Sequence, residues 1–163
     1  SFQKSGCSLT TNNLELTQKS DIIILAVKPY KLLDILKEIK SSLNESKTIV
    51  SVVTGITINE ILEATSPLQK VARVMPNTAI STQQSISCFS TQNIDDNQKT
   101  SIQSLFNNLG ETVEINEDLM DAATVLGACG IAYVMRFLRA MTQGGIEIGF
   151  SAETANKIAI QTM

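Results

Sequence analysis

Three strand-sized apolar segments, each ended by a turn and separated from one another by helical patterns, constrain the fold of this chain most. Residues 21–27, 48–53 and 70–75 are rich in Ile and Val and have the length of strands. Residues 21–27 form an almost continuous apolar run, which predicts a strand buried on both faces of a parallel sheet. The alternation of strands and helices predicts an α/β fold with a Rossmann-like, doubly wound, mainly parallel sheet.

The segments between and after these strands fit the same fold. Thr57 is a suitable N-cap for the second helix. Residues 85–90 are more polar and alternate, which predicts a strand near the sheet edge, and residues 112–115 predict a last short strand. The apolar stripe of the first helix consists of Leu32, Leu33, Ile35, Leu36 and Ile39.

From Asn116 onward the pattern is entirely helical, so we place a domain boundary there, between an α/β domain at residues 1–115 and a helical segment at residues 116–163. Asn116 and Ser151 are predicted N-caps. Gly144 and Gly145 lie inside a predicted helix, where each glycine costs up to ~1 kcal/mol relative to alanine. Such a cost is more readily accepted where two helices approach closely.

The same segment predicts a partner, because it carries more apolar side chains than so short a stretch can bury. We therefore expect a homodimer, or a larger assembly of dimers, through this region. The side chains in question are Ile131, Val134, Leu138, Met141, Ile146, Ile148 and Ile158.

Composition argues against several classes of function. The chain contains no His, which excludes Ser-His-Asp and Cys-His catalysis and removes the commonest metal ligand. Its 13 Lys and Arg residues are scattered and the net charge is −3, so we expect no nucleic-acid partner. No apolar run approaches the ~20 residues of a membrane span. Three widely spaced cysteines favour a reducing cytoplasm over a disulfide framework.

Three strand ends carry the candidate site. Lys28-Pro29, Thr54-Gly55 and Asn77-Thr78 each follow a predicted strand. Ligands of open parallel sheets bind at the carboxyl ends of the strands, and right-handed crossovers place these ends on one edge. We therefore predict that this edge holds a sugar-phosphate and a flat heteroaromatic ring. Taken singly, Lys28 also fits a solvated surface lysine, and Asn77-Thr78 also fit turn residues that bond their own backbone.

In combination these segments resemble the pyrroline-5-carboxylate reductase family. The similarity lies in Ala-Val-Lys-Pro at 26–29, Arg-Val-Met-Pro-Asn-Thr at 73–78, Ala-Tyr-Val at 132–134 and Gly-Gly-Ile-Glu-Ile-Gly at 144–149. It extends from about Thr10 to the end of the chain. The resemblance implies an N-terminal dinucleotide-binding domain followed by a helical domain that interleaves with a partner subunit. One departure is residues 127–132, Gly-Ala-Cys-Gly-Ile-Ala, where the family usually has Ser-Gly-Ser-Gly-Pro-Ala.

The resemblance also implies which residues form the site, with NADPH or NADH as cofactor and with neither a catalytic side chain nor a metal. Asn12 would lie near the adenosine end of the cofactor. The turn after the first strand would contact the cofactor through Ala26, Val27, Lys28 and Pro29. The turn after the second strand would lie near the nicotinamide half through Val52, Val53 and Thr54. Nicotinamide and substrate would meet at Met75, Asn77 and Thr78.

The activity that the resemblance implies is hydride transfer to the C=N carbon of 1-pyrroline-5-carboxylate, giving L-proline in the last step of proline biosynthesis. Two alternatives remain open: a non-enzymatic dimerisation module derived from this fold, and a reductase of a related imine or hydroxy acid. A glycine-rich turn encoded upstream of Ser1 would favour an enzyme over the module. Substrate profiling would separate the two reductases.

We expect residues 1–163 alone to bind cofactor weakly and to have no turnover. In the family, a glycine-rich phosphate loop precedes the matching region and a Ser/Thr-Gly substrate loop follows it, so the dinucleotide-binding sheet here would be incomplete. None of the eight glycines forms a G-x-G-x-x-G pattern. NADPH oxidation with pyrroline-5-carboxylate measures this, and turnover near that of a full-length reductase would refute the expectation.

Overall fold

A computed structural model describes residues 6–163, and its centre is a five-stranded sheet with the strands in chain order. The strands are β1 (Ile22–Leu25), β2 (Thr48–Ser51), β3 (Lys70–Met75), β4 (Ser85–Gln92) and β5 (Gly110–Glu114). The α-helices are α1 (Asn13–Lys19), α2 (Pro29–Ile39), α3 (Ile58–Ala64), α4 (Asp96–Asn107), α5 (Met120–Ala123), α6 (Gly130–Glu147) and α7 (Ala152–Thr162).

The predicted parallel strands are parallel. β2 pairs with β1 and with β3, and Thr48 stands opposite both Ile22 and Lys70. β4 then runs antiparallel to β3 and parallel to β5. The chain crosses from β1 to β2 through α2 and from β2 to β3 through α3, as parallel pairing requires.

Apolar side chains cover both faces of the sheet, which is the two-faced architecture predicted from the sequence. One cluster joins β1–β3 to α2 and α3 through residues such as Ile49, Leu36 and Ile61. The other joins β2, β3 and β4 to α4 through residues such as Val74, Phe89 and Ile102. Burial of these side chains, each worth about 1.5–3 kcal/mol, holds the crossover helices on the sheet.

The prediction that the first strand is buried on both faces was wrong. Ile23 and Leu25 are 3% and 4% exposed, but Ile22 and Ile24 are 41% and 49% exposed. β1 ends the sheet on one side, and no element within residues 6–163 covers the face that carries Ile22 and Ile24. Residue type therefore predicted the strand, while its neighbours decided its burial.

The prediction that β4 lies near the sheet edge is confirmed, because β4 is next to the edge strand β5, although it also pairs with β3 and is not itself an edge strand. Its polar residues Ser85 and Ser87 are 3% and 0% exposed. The Ser85 hydroxyl accepts a hydrogen bond from the Asn77 backbone N–H at 3.2 Å and lies 3.5 Å from the Ser87 hydroxyl. Small hydroxyl side chains that find local partners can be buried at little cost.

After β5 the chain is helical from Glu117 to Glu147, through a 3₁₀ turn, α5, a π-helical turn (Thr124–Ala128) and α6. This 31-residue run has a mean hydropathy of 1.3 in its most apolar window, of which 6% is buried. By length and composition this helix could cross a membrane, although charged residues interrupt it and no continuous apolar run in it reaches the ~20 residues of a membrane span.

The two predicted caps of this region differ in outcome. The Ser151 hydroxyl accepts a hydrogen bond from the Thr154 backbone N–H at 3.2 Å at the start of α7, as predicted. Asn116 occupies the N-cap position of the 3₁₀ turn Glu117–Leu119, but its side chain makes no capping bond.

The close approach predicted from the paired glycines occurs at one of them. A Cβ atom on Gly145 would lie 2.9 Å from Cβ of Ala155 in α7, whereas a Cβ on Gly144 would have nothing within 4 Å. Ala155 is 3% exposed, so the Ala155 methyl group of α7 packs directly against the backbone of α6 at Gly145.

We predict opposite effects of the same substitution at these adjacent glycines. Gly144→Ala should stabilise the chain by up to about 1 kcal/mol, since alanine favours a helix. Gly145→Ala should gain the same propensity but force α6 away from Ala155, for a net loss of about 1–3 kcal/mol. Urea unfolding followed by circular dichroism measures both. Equal stability of the two variants would show that the α6–α7 contact tolerates a methyl group.

Candidate functional site

The carboxyl ends of β1, β2 and β3 meet at one edge of the sheet, which we call the rim and define as residues 26–29, 52–55 and 75–78. The Val52 N–H donates to the Leu25 carbonyl at 3.1 Å, which continues the β1–β2 pairing up to the rim. The Thr54 hydroxyl lies 3.9 Å from the Met75 sulfur, so the second and third turns are in contact. The structure thus brings together the three turns that the sequence predicted to share an edge.

The first turn is an exposed, positively charged helix start. Lys28 is the N-cap of α2 and Pro29 the first helical residue, which is the position that proline tolerates best. The Lys28 carbonyl accepts a hydrogen bond from the Lys31 N–H at 2.9 Å, while its side chain makes no capping bond and lies exposed. A cation beside a helix N-terminus favours an anionic ligand.

The second turn offers mostly backbone. Val53 is 2% exposed and belongs to the core cluster under α2 and α3, and Val52 packs against the cluster on the other face. Thr54 is exposed. Gly55 has φ +78° and nothing within 4 Å of the position of a Cβ, so the chain turns there with an open outer surface. Of the three residues predicted in this turn, only Thr54 presents a side chain to a ligand.

The third turn is tied down at Asn77. The Asn77 backbone N–H donates to the Ser85 hydroxyl, its Oδ1 accepts from the Ala79 N–H at 3.1 Å, and its Nδ2 donates to the Gly127 carbonyl at 3.2 Å. Met75 is 5% exposed, whereas Thr78 is exposed. The turn therefore presents the Thr78 side chain to solvent and uses Asn77 internally.

Asn12, the remaining predicted cofactor residue, is the N-cap of α1, a helix that the sequence analysis did not anticipate. Its Oδ1 accepts a hydrogen bond from the Glu15 N–H at 3.1 Å. The adjacent Asn13 donates to the Glu38 carboxylate at 3.0 Å, in the last turn of α2. No hydrogen bond within the described part of the chain joins Asn12 to the rim.

An ion pair that sequence reasoning missed lies beside the second turn. Arg73, in the middle of β3, is 3% exposed, and its guanidinium donates to Oε1 of Glu117 at 3.2 Å. The same Oε1 accepts the backbone N–H of Ile58 at 2.6 Å, at the start of α3. Arg73 Nε has no partner within residues 6–163. A signal was available, because an arginine inside an apolar strand requires a buried partner.

The cavities of the described chain do not enclose the rim. A cavity of about 320 Å³ beside the second turn is lined by Gly55, Thr57, Arg73, Glu117 and Asp121, among others. A larger cavity, of about 660 Å³, lies near Lys40 and Asn44, in the connection between α2 and β2. This connection is at the edge of the sheet opposite the rim. No cluster of acidic and cysteine side chains within residues 6–163 is suited to a metal ion. The rim is therefore an open surface formed by three turns.

Comparison with known proteins yields matches over almost the whole chain. The family model described as "Pyrroline-5-carboxylate reductase dimerisation" matches residues 117–163. The model described as "NADP oxidoreductase coenzyme F420-dependent" matches residues 1–55. Pyrroline-5-carboxylate reductase 1 of Dictyostelium discoideum is 38% identical over 99% of this chain and 31% of its own length.

Two crystal structures agree with the fold. Plasmodium falciparum pyrroline carboxylate reductase with NADP bound is 32% identical, with a TM-score of 0.88 over 94% of this chain and 58% of that one. A pyrroline-5-carboxylate reductase from Coxiella burnetii is 25% identical, with a TM-score of 0.93 over 98% of this chain and 60% of that one. The chain spans 31% and 58% of the two Dictyostelium reductases that it matches.

Proposed function

The chain belongs to the pyrroline-5-carboxylate reductase family, and from this premise we propose that the intact protein reduces 1-pyrroline-5-carboxylate to L-proline. The observation that carries the proposal is the parallel pairing of β1, β2 and β3. It gathers the Ala-Val-Lys-Pro and Met-Pro-Asn-Thr turns on one rim, where an open α/β sheet binds its ligands.

We propose NADPH as the cofactor, since the Plasmodium relative has NADP bound and the model matching residues 1–55 describes an NADP oxidoreductase. The rim has suitable donors for such a molecule. Lys28 is an exposed cation at a helix N-terminus, which suits a phosphate. Thr54 and Thr78 are exposed hydroxyls that suit ribose or carboxamide groups. The open outer surface at Gly55 allows a ligand to approach the backbone closely.

Bound nicotinamide supplies the hydride for the C=N carbon, so the residues of this chain hold and orient the reactants. A protonated imine is already electrophilic, so the reaction needs no general acid from this chain. The absence of His from the sequence agrees with this division of work. Thr54 and Met75, in contact across the rim, fix the spacing of the two turns between which the nicotinamide would lie.

We predict that Lys28→Met raises the KM for NADPH of the intact protein by roughly tenfold, the equivalent of one charge-assisted contact. The value of kcat with pyrroline-5-carboxylate should change less, because Lys28 holds the cofactor and transfers no proton. Lys37→Met is the matched control, since it removes the same charge from an exposed position in the last turn of α2. An equal rise in KM for both variants would indicate general electrostatics, and absence of proline formation by the wild type would refute the proposed reaction.

We propose further that residues 117–163 form an interface with a second copy of the chain, in a cytoplasmic homodimer or larger homo-oligomer. The model matching this segment describes dimerisation. Helix α6 has no buried residue, and its apolar side chains include Phe137 at 61% and Tyr133 at 56% exposure. A large apolar helix surface of this kind is typical of an obligate interface.

We predict that light scattering gives at least twice the chain mass for the wild type and a monomer for Phe137→Glu. A carboxylate at this position would be buried without a partner in the interface, which costs several kcal/mol. Tyr30→Glu is the control, because Tyr30 is also an exposed aromatic residue, at 76% against 61% for Phe137, but lies outside the segment. A monodisperse wild-type monomer at high concentration would contradict the interface.

A further inference from the structure

The side-chain amide of Asn77 makes one hydrogen bond at each end within the chain. Its Oδ1 accepts from the Ala79 N–H at 3.1 Å and its Nδ2 donates to the Gly127 carbonyl at 3.2 Å. Because one partner is an N–H and the other a carbonyl, the network fixes which end of the amide is oxygen. An amide also has a second N–H and a second oxygen lone pair, so these two bonds orient the side chain without excluding contact with a ligand.

The two partners belong to different parts of the chain. Ala79 lies in the 3₁₀ turn Thr78–Thr82, which Asn77 caps, so the bond to Ala79 shapes the rim itself. Gly127 lies 50 residues further on, in the π-helical turn that leads into α6. The amide thus joins the rim to the helical segment.

The backbone at Gly127 is unusual in its own right. The Cys129 N–H donates to the Thr124 carbonyl at 2.9 Å, five residues back, which defines the π turn. Such turns are rare, and they occur frequently at functional sites. A Cβ built on Gly127 would lie 3.5 Å from a methyl carbon of Ile86 in β4, so the π turn lies directly against the sheet.

We propose that Asn77 is a positioning residue, which fixes the π turn at Gly127 against the rim and so sets the geometry of the substrate side of the nicotinamide pocket. The inference rests on the proposed function and deepens it. It gives Asn77 an effect on substrate geometry through Gly127 that does not depend on direct contact between the Asn77 side chain and the substrate. Misplacement of reacting groups by about 1 Å costs about 100-fold in rate, so one lost hydrogen bond at this junction has a measurable effect on kcat.

Two substitutions isolate the bond to Gly127. Asn, Asp and Ser are comparable N-caps, so Asn77→Ser and Asn77→Asp keep an acceptor for the Ala79 N–H. Serine is too short to reach Gly127, and aspartate presents an acceptor to the carbonyl. Asn44→Asp is the charge control, because Asn44 accepts from Ser46 and lies near the cavity at the opposite edge of the sheet.

In the intact protein, both Asn77 variants should lower kcat about 10- to 100-fold while the KM for NADPH changes less than about threefold. Their melting temperatures should stay within a few degrees of the wild type, since one net hydrogen bond is worth about 1 kcal/mol. Hydrogen exchange should accelerate in residues 124–130 and remain unchanged in β3. Asn44→Asp should match the wild type in every measurement.

The outcomes separate this inference from the proposed function. Wild-type kcat and unchanged exchange in Asn77→Ser would overturn the positioning role, and so would a loss of activity confined to Asn77→Asp, which would indicate charge alone. Faster exchange at residues 124–130 without a change in kcat would also overturn it. If the wild type fails to reduce pyrroline-5-carboxylate, the proposed reaction fails, while the exchange experiment still tests the junction.

Discussion

Parallel pairing of β1, β2 and β3 is the constraint on which the rest of the structure depends. Parallel neighbours cannot be joined by a tight turn, so α2 and α3 must carry the chain back across one face of the sheet. Each crossover then begins at the same edge. Lys28 at the start of α2 and Thr57 at the start of α3 consequently lie on the side of the molecule where β3 ends at Met75. The rim follows from the direction of the strands.

Sequence patterns predicted the elements of this fold better than their surroundings. The third strand, 70–75, matches β3, and the Thr57 cap forms with Glu60 as a complete capping box, because both depend on residues close in sequence. Burial of Ile22 was predicted wrongly, because it depends on which distant elements cover the strand. Helix α1 was missed because its seven residues carry no clear apolar stripe and its start depends on the Asn12 cap.

At the rim, the location of the turns was predictable, while the availability of their side chains was not. A turn after a buried strand marks a strand end, and this information is local. Whether a side chain is available depends on partners far along the chain: Val53 is buried in the core, and the Asn77 amide is bonded to Gly127. The side chains of Lys28, Thr54 and Thr78 are exposed and remain as groups that a ligand could contact. The predicted set of residues therefore mixes possible ligand contacts with residues that shape the turn.

The change from an α/β to a helical pattern at Asn116 is not a break in contacts, because residues just after it are hydrogen-bonded to the sheet domain. Glu117, the next residue, accepts from Arg73 in β3 and from Ile58 in α3, and Gly127 accepts from Asn77. Partly buried polar contacts contribute little net stability but disfavour alternative arrangements, because breaking one leaves a partner unsatisfied. The three hydrogen bonds at Glu117 and Gly127 fix residues 117–127 on the sheet. Helix α6, which begins at Gly130, has no buried residue. The surface proposed to bind a second copy therefore begins just after the last of these hydrogen bonds to the sheet.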